Sequence, residues 1–215
     1  MRHMPMAVTC ALAVAGAGLM TAGAQAALVS FWHFNGFDPA NGSILNASSG
    51  NGTLDCTSFA LGLTSFGGTD VNAPDGIVAG ESAGLTGSSH NGAFAQLAIN
   101  TTGYADLAIS FAARRSATGF GNDRVEALVN GSWTLVSSFN PSTTAWTTVT
   151  VDLAAINSIE NGVAAIRLVF DGASSGSGTV RFDNLTVTGS AVPAPGAIAL
   201  LGAAGLIGRR RRSAQ

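Results

Sequence analysis

The sequence predicts an all-β fold for residues 27–190: an antiparallel β-sandwich of the jelly-roll type. Three observations predict it: apolar residues recur at every second position, Asn-Gly pairs punctuate the chain, and helical periodicity is nearly absent. Many short strands separated by turns are typical of sandwiches. We divide the chain into a signal peptide at 1–26, the sandwich domain at 27–190 and a sorting tail at 191–212.

The N-terminal segment has the features of a secretory signal. A basic start precedes an uncharged stretch over Met6–Met20, and Ala24 and Ala26 supply the small-x-small pattern that signal peptidase accepts. We therefore expect a signal helix that is removed by cleavage, so that the mature chain begins at Ala27. A buried N-terminal helix is the alternative, but the stretch has no amphipathic face.

Alternation of apolar and polar residues predicts half-buried strands at 105–113, 148–153 and 166–170. A helical turn is expected between the last two of these strands, at Leu153–Ile159. Residues 35–91 are rich in loops, and their strands are placed only loosely.

A hairpin and a bulge are predicted from local pattern. Asn130-Gly131 separates two strands and favours a two-residue turn. In the last strand, Val180 and Phe182 have one parity but Leu185 and Val187 have the other. One extra residue near Asp183-Asn184, a β-bulge, would bring all four apolar side chains into the core.

The C-terminal end has the features of a sorting signal. A proline-containing break is followed by 13 uncharged residues, 196–208, and then by four arginines. A helix over these residues spans about 20 Å at ~1.5 Å per residue, so we expect a short transmembrane helix with the arginines on the cytoplasmic side. The sorting-signal residues are Val192, Pro193, Ala194, Pro195 and Gly196 with Arg209, Arg210, Arg211 and Arg212.

This tail resembles the PEP-CTERM sorting signal, in which a membrane protease-transpeptidase, exosortase, processes the C-terminus. Ala194 stands where that family usually has Glu, and Val-Pro-Ala-Pro-Gly resembles a variant of the motif. The resemblance implies export by the Sec machinery, transient inner-membrane retention and exosortase as a partner. It also implies a final location at the outer surface or in the extracellular matrix of a Gram-negative bacterium. An ordinary tail anchor is the alternative.

The segment 104–189 also resembles a module that recurs in PEP-CTERM proteins. The matching stretches are Leu107–Phe111, Ala113–Phe120, Asp152-Leu153, Arg167–Ala173 and Gly178–Leu185. This resemblance implies a jelly roll of the carbohydrate-binding or galactose-binding type, and it implies no particular biochemical activity.

The composition limits the partners. The body between signal and tail holds all 12 acidic residues against five arginines, a balance of 5 − 12 = −7, and the chain has no lysine. Such an acidic surface argues against nucleic acid and anionic membranes as partners of the body. We therefore expect the protein to contact the membrane only through its C-terminal tail. Cys10 lies within the signal, so Cys56 is the only cysteine of the body. We expect it to be a buried thiol.

Two stretches of the body resemble catalytic or metal-binding motifs. Gly80–Gly84 fits the nucleophile-elbow pattern, with His90 after it, but the required strand–turn–helix context is lacking, so we expect a surface loop. Asp70, Asn72 and Asp75 place oxygen atoms as calcium loops do, without the regular spacing or the distal Glu. A self-capping turn is the preferred interpretation, and a structural calcium ion is the alternative. We expect no catalytic residue, no other metal and no cofactor.

The candidates for glycan contact are Arg114, Arg115 and Trp146. The arginines open a loop where they could bond sugar hydroxyls or acidic polysaccharide, although pairing of one of them with a neighbouring carboxylate is favoured. Trp146 has the parity opposite to the apolar residues of the strand that follows, which predicts an exposed ring. Trp133 shares parity with Leu135 and is expected in the core.

The predicted function is that of a non-catalytic exported protein of the cell surface or extracellular matrix. The alternative is a glycan-binding module for extracellular polysaccharide, which requires an exposed aromatic or an arginine-bearing groove on the sandwich. Hydrolysis of a matrix polymer is least favoured, because glycosidases need two carboxylates facing one cleft and no local motif nominates such a pair.

Overall fold

The structure is a computed structural model that describes residues 26–74 and 76–192. These residues form two antiparallel β-sheets around one hydrophobic core, which confirms the predicted all-β sandwich. The predicted signal helix and transmembrane helix lie outside the described residues. No helix within residues 26–74 and 76–192 is long and apolar enough to cross a membrane.

The larger sheet has seven strands. They are β1 (Ala26–Trp32), β3 (Ser49–Gly50), β5 (Leu63–Gly67), β6 (Glu81–Thr86), β8 (Tyr104–Arg115), β11 (Thr147–Asp152) and β13 (Thr179–Ala191). The longest strand, β13, lies inside the sheet and pairs with β8 along one edge. Its other edge is shared, first by β6 and then by β1. The remaining strands extend the sheet, β11 beside β8, β3 beside β1 and β5 beside β6.

The smaller sheet has six strands in the spatial order β10-β9-β12-β7-β4-β2. They are β2 (Ile44–Asn46), β4 (Thr53–Asp55), β7 (Phe94–Asn100), β9 (Asp123–Val129), β10 (Ser132–Phe139) and β12 (Val163–Val169). Short 3₁₀ segments occur at Pro39–Asn41, Thr57–Gly62, Ser88–His90 and Asn157–Ile159. The last of these covers only the end of the helical turn expected at 153–159.

The predicted hairpin is confirmed. Asn130 and Gly131 connect β9 to β10 with φ values of 51° and 79°. Both are positive, as a type I′ turn requires, and Asn and Gly are the residues that tolerate this conformation best. Ser132 then pairs with Val129, so the turn sets the register of the two strands.

The predicted bulge in β13 is also confirmed. Asp183 pairs with Ala112 and Thr186 with Ser110, so β13 advances three residues while β8 advances two. Asn184 takes the left-handed conformation, with φ of 49°. All four apolar side chains around the bulge are buried: Val180, Phe182, Leu185 and Val187. The bulge lies where the second edge of β13 passes from β6 to β1.

Aromatic rings fill the centre of the core. The Phe182 ring centroid lies 5.4 Å from that of Phe34, 5.5 Å from that of Phe170 and 6.2 Å from that of Phe59. Cys56 is a free cysteine in the same core, as expected. Its environment is apolar, and burial together with the nearby Asp55 charge raises the pKa of the thiol well above its ordinary value.

Candidate functional site

The six-stranded sheet has one face on the core and one face outward. On β12, Ile166 and Leu168 are fully buried, which turns the intervening Arg167 outward. The same alternation on β9 turns Arg124 and Glu126 outward. The side chains that meet on this face, here called the outer cluster, are Phe94, Arg124, Glu126, Trp133 and Arg167.

Glu126 holds the charged part of the outer cluster together. Its Oε1 lies 2.6 Å from Nε of Arg124, and its Oε2 lies 2.6 Å from Nε and 2.5 Å from Nη2 of Arg167. Burial alone would raise the pKa of Glu126, but hydrogen bonds from Arg124 and Arg167 lower it below the ordinary value. The carboxylate therefore stays ionised; Arg167 contacts it through two nitrogen atoms and Arg124 through Nε.

Trp133 belongs to this outward face, so the prediction that it packs in the core is wrong. Trp133 pairs with Leu128, and Leu135, on the same side of β10, is 57% exposed. The register of β10 shifts between Leu135 and Ser137, and this irregularity returns Phe139 to the core. The prediction took Leu135 as a core residue, but Leu135 lies on the outward face, so sharing its parity does not bury Trp133.

Arg167 lies between two aromatic rings. Its guanidinium carbon is 4.4 Å from the ring centroid of Trp133 and 5.2 Å from that of Phe94. Because β9 separates β10 from β12, Trp133 and Arg167 meet across one intervening strand, a distance of roughly 10 Å between backbones. Cation–π contacts of this kind orient the indole before any ligand arrives. Trp133 is half-buried, so part of its surface still meets solvent.

The outer cluster combines an apolar surface with fixed hydrogen-bonding groups. Aromatic rings can pack against the apolar faces of a sugar, while guanidinium and carboxylate groups can bond its hydroxyls. Since Arg124, Glu126 and Arg167 already hold one another, little side-chain entropy remains to be lost on binding. The arrangement therefore suits recognition of a ligand with both apolar faces and hydroxyl edges.

Arg115, a predicted glycan contact, is used internally. Its Nε donates to Oδ1 of Asn140 at 2.9 Å and to the carbonyl of Pro141 at 3.1 Å, and its Nη1 donates to the carbonyls of Ser116 and Ala117. The favoured alternative, pairing with a carboxylate, does not hold for Arg115, because its hydrogen-bond partners are a side-chain amide and backbone carbonyls. It does order the loop, as that alternative supposed.

Of the other two predicted glycan contacts, Arg114 lies on the outward face of the seven-stranded sheet and Trp146 lies just before one of its strands. Arg114 of β8 stands directly opposite Arg181 of β13. Trp146 immediately precedes β11, whose first residue, Thr147, pairs with Ala113. The ladder does not continue regularly before Thr147, because the amide of Arg115 donates to the carbonyl of Ser142 at 2.9 Å. Trp146 is half-buried, so its exposure is only partial.

The calcium candidates form a turn. The amide of Ala73 donates to the carbonyl of Asp70 at 3.1 Å, and Nδ2 of Asn72 donates to the carbonyl of Asn184 at 2.8 Å. Asp75 lies outside the described residues. Among the residues described, no group of three or more His, Cys, Asp or Glu side chains could hold a metal ion.

The expectation of a surface loop at Gly80–Gly84 is wrong, because Glu81 to Thr86 form strand β6. Ser82 is fully buried, and its hydroxyl donates to the carbonyls of Phe66 and Gly67 on neighbouring β5. Nδ1 of His90 lies 2.7 Å from the carbonyl oxygen of Thr86. The strand–turn–helix geometry of a nucleophile elbow does not form here.

A buried carboxylate at the start of β9 was missed by the sequence analysis. Asp123 is fully buried, its Oδ1 accepts from the amide of Asp171 at 3.0 Å, and its Oδ2 has no hydrogen-bond partner among the described residues. Burial raises the pKa of Asp123 to about 7, against the hydrogen bond from Asp171 and the charge of Arg115. The sequence pattern that would have predicted its burial is that Asp123 precedes the core residue Val125 by two positions, so both face the same side of β9.

Of the residues predicted for processing, only three are described. Ala26 and Ala27 begin β1 and pair with Ser190 and Gly189. Val192 is 46% exposed, and its amide donates to the carbonyl of Gly103 at 2.8 Å. Ala24 and residues 193–215 lie outside the described part of the chain, and with them the remaining sorting-signal residues.

No protein-family model matches the chain, and no curated protein matches it either. Among solved structures, the chain is similar to the tandem CBM22 domain of Xyn10C from Paenibacillus barcinonensis, with 11% identity over 81% of this chain and 48% of that chain and a TM-score of 0.44. A β-1,3-glucan-binding CBM6 from Bacillus halodurans is 18% identical over 59% of this chain and 85% of that chain, with a TM-score of 0.36.

A third similar structure belongs to an enzyme. A glycoside hydrolase family 43 arabinoxylan arabinofuranohydrolase from Bacillus subtilis is 19% identical over 59% of this chain, with a TM-score of 0.38. This chain covers only 24% of that enzyme's length. All three TM-scores lie below 0.5.

Proposed function

We propose that the body of the protein is a non-catalytic glycan-binding module. This is the alternative that the sequence offers, and it requires an exposed aromatic or arginine-bearing groove on the sandwich. The observation that carries the proposal is the position of Trp133 on the outward face, with the Arg167 guanidinium 4.4 Å from its ring centroid. A purely structural matrix component has no need for such a cluster.

The electrostatics of the outer cluster favour binding over hydrolysis. A glycosidase needs one protonated and one ionised carboxyl group facing the same bond. Glu126 has a lowered pKa and gives both oxygens to arginines, so it neither donates a proton near neutral pH nor has a free oxygen to attack a sugar. It can still orient the two arginines toward ligand hydroxyls.

The proposal is tested by affinity electrophoresis of the exported protein in gels that contain neutral plant and bacterial polysaccharides. We expect Trp133→Ala to weaken retardation at least about tenfold, which corresponds to ~1.4 kcal/mol. The matched control is Leu135→Ala, because Leu135 lies two residues along the same strand and is 57% exposed. Equal retardation of wild type and Trp133→Ala on every retarding glycan would contradict the proposal, as would new reducing ends after incubation.

The proposed module is exported by its N-terminal signal peptide and sorted by its C-terminal tail. Cleavage before Ala27 removes only Ala26 from β1, so the strand pairing with β13 survives processing. We expect the secreted protein to begin at Ala27. Deletion of 192–215 should release it in soluble form, and an exosortase-deficient strain should leave the tail uncut. An unchanged mature mass and location in that strain would contradict the sorting proposal without touching the glycan site.

The finer fold assignment, a jelly roll, is part of the same proposal. From β6 to β13 the chain passes back and forth between the two sheets, with the β9–β10 hairpin as the only pair that stays in one sheet. Such alternation is how jelly rolls build two sheets from successive strands.

A further inference from the structure

Two arginines stand side by side on the outward face of the seven-stranded sheet. Arg114 of β8 and Arg181 of β13 are directly opposite in the antiparallel register. Cβ atoms of such pairs are about 4.5–5.5 Å apart, and like charges in this position repel each other. The pair therefore costs stability in the free protein unless an anion lies between the two guanidinium groups.

Neither arginine has an acidic partner within residues 26–74 and 76–192. The ion pairs of this region are made by Arg124 and Arg167. Asp183, two residues from Arg181 on the same strand, accepts instead from the amides of Thr69 and Asn184. The body contains more than twice as many acids as arginines, so a shortage of carboxylates does not explain the unneutralised pair.

Arg181 is held in place by an aromatic ring. Its guanidinium carbon lies 4.2 Å from the ring centroid of Phe66 on β5. The ring has room because Gly84, the β6 partner of Arg181, has no side chain: a Cβ there would lie 2.7 Å from Cε2 of Phe66. Burial and the charge of Arg114 both lower the pKa of Arg181, which fits two cations held close together.

The aromatic ring and the two cations lie on neighbouring strands of one sheet. The strand order is β5, β6, β13 and β8, so Phe66, Arg181 and Arg114 form a row across it. Two cations beside an aromatic ring match the chemistry of a charged sugar, whose anionic group and apolar ring faces are held close together.

We propose that this row binds a carboxylate group of an acidic polysaccharide, with a uronate residue between Arg114 and Arg181. Planar guanidinium groups bind carboxylates through paired hydrogen bonds, which ordinary hydroxyls cannot match. Nucleic acid is disfavoured as the occupant because the body has a net charge of −7. The row is separate from the outer cluster, since the two lie on different sheets of the sandwich.

The test uses polygalacturonate and its methyl ester, which share a backbone and differ in charge. We expect the exported protein to bind polygalacturonate, and Arg114→Gln/Arg181→Gln to weaken that binding at least about tenfold. Thr188→Ala, on the half-exposed side of β13 and seven residues from Arg181, should bind as wild type does. Trp133→Ala should also keep polygalacturonate binding, which separates failure of this site from failure of the neutral-glycan site.

Three outcomes would overturn the inference: equal binding by wild type and the double variant, equal binding of polygalacturonate and its methyl ester, or preference for poly(U) RNA over polygalacturonate. Thermal melting of each variant distinguishes loss of the binding site from loss of the fold. We expect Arg114→Gln alone to melt at or above the wild-type temperature, because it removes a like-charge contact. Loss of binding by this folded variant supports the site.

Discussion

The backbone amide of Thr69 donates a 2.8 Å hydrogen bond to Oδ2 of Asp183, a residue 114 positions further along the chain. In return, Nδ2 of Asn184 donates to the carbonyls of Thr69 and Val71 at 2.7 and 3.0 Å. These bonds attach the loop at 68–73 to β13 at its bulge, where the strand passes from β6 to β1. Burial raises the pKa of Asp183 to about 6, although the bonds from Thr69 and Asn184 lower it.

Asn184→Ala should destabilise the protein by about 2–4 kcal/mol. The change removes two buried hydrogen bonds, at about 0.5–1.5 kcal/mol each, and leaves two carbonyls unsatisfied. It also places alanine at φ of 49°, a conformation that asparagine tolerates better. Denaturant unfolding measures the loss. Thr188→Ala, on the half-exposed side of the same strand, should stay within about 0.5 kcal/mol, and equal effects of the two changes would contradict the assignment.

Phe182→Ala should cost about 3–5 kcal/mol and Leu185→Ala about 2–5 kcal/mol, as truncations in a close-packed core do. Both side chains are fully buried on either side of the bulge, and Phe182 contacts three other phenylalanine rings. The measurement is the midpoint shift in chemical denaturation. A loss below 1 kcal/mol at Leu185 would mean that the bulge does not turn this residue inward.

Stability should fall as pH rises because of Asp123. Its pKa is about 7 in the folded protein and 3.8 ordinarily, so the folded state binds the proton more tightly. Stability from this group is complete below about pH 4 and is lost as pH rises through 7. Asp123→Asn should remove that loss, so the variant should gain about 2–4 kcal/mol over wild type between pH 4 and pH 8.

The comparison isolates Asp123 because Asp183 and Glu126 titrate in both proteins. The groups that act on Asp123 are Arg115, Arg124 and Asp171, and all three are unchanged in the variant. Urea unfolding of both proteins at four pH values measures the difference. A difference that does not change with pH would show that Asp123 is ionised in the folded state throughout.

The thiol of Cys56 should be inert until the protein unfolds. It is fully buried in the core, and its raised pKa leaves almost no thiolate. We expect Ellman's reagent to react with the native exported protein at least about 1,000-fold more slowly than with the urea-unfolded protein, since reaction requires opening of the core. Rapid reaction without denaturant would mean that the helical segment Thr57–Gly62 opens locally.

The sequence by itself determined the features that depend on neighbouring residues. Asn130-Gly131 specified a turn with two positive φ angles, and the parity conflict between Phe182 and Leu185 specified a bulge. The buried Cys56 also followed from composition and pattern. These features follow from backbone sterics and from the two-residue repeat of a strand, which operate over a few residues.

The tertiary structure decided which side chains meet. Trp133 was assigned to the wrong face because Leu135, whose parity it shares, was expected in the core but is exposed. Glu126 joins Arg124 and Arg167, and Arg114 faces Arg181, only because β9 pairs with β12 and β8 pairs with β13. Alternation along one strand tells which residues share a face, whereas the neighbours across a sheet depend on pairing between segments that are far apart in the chain.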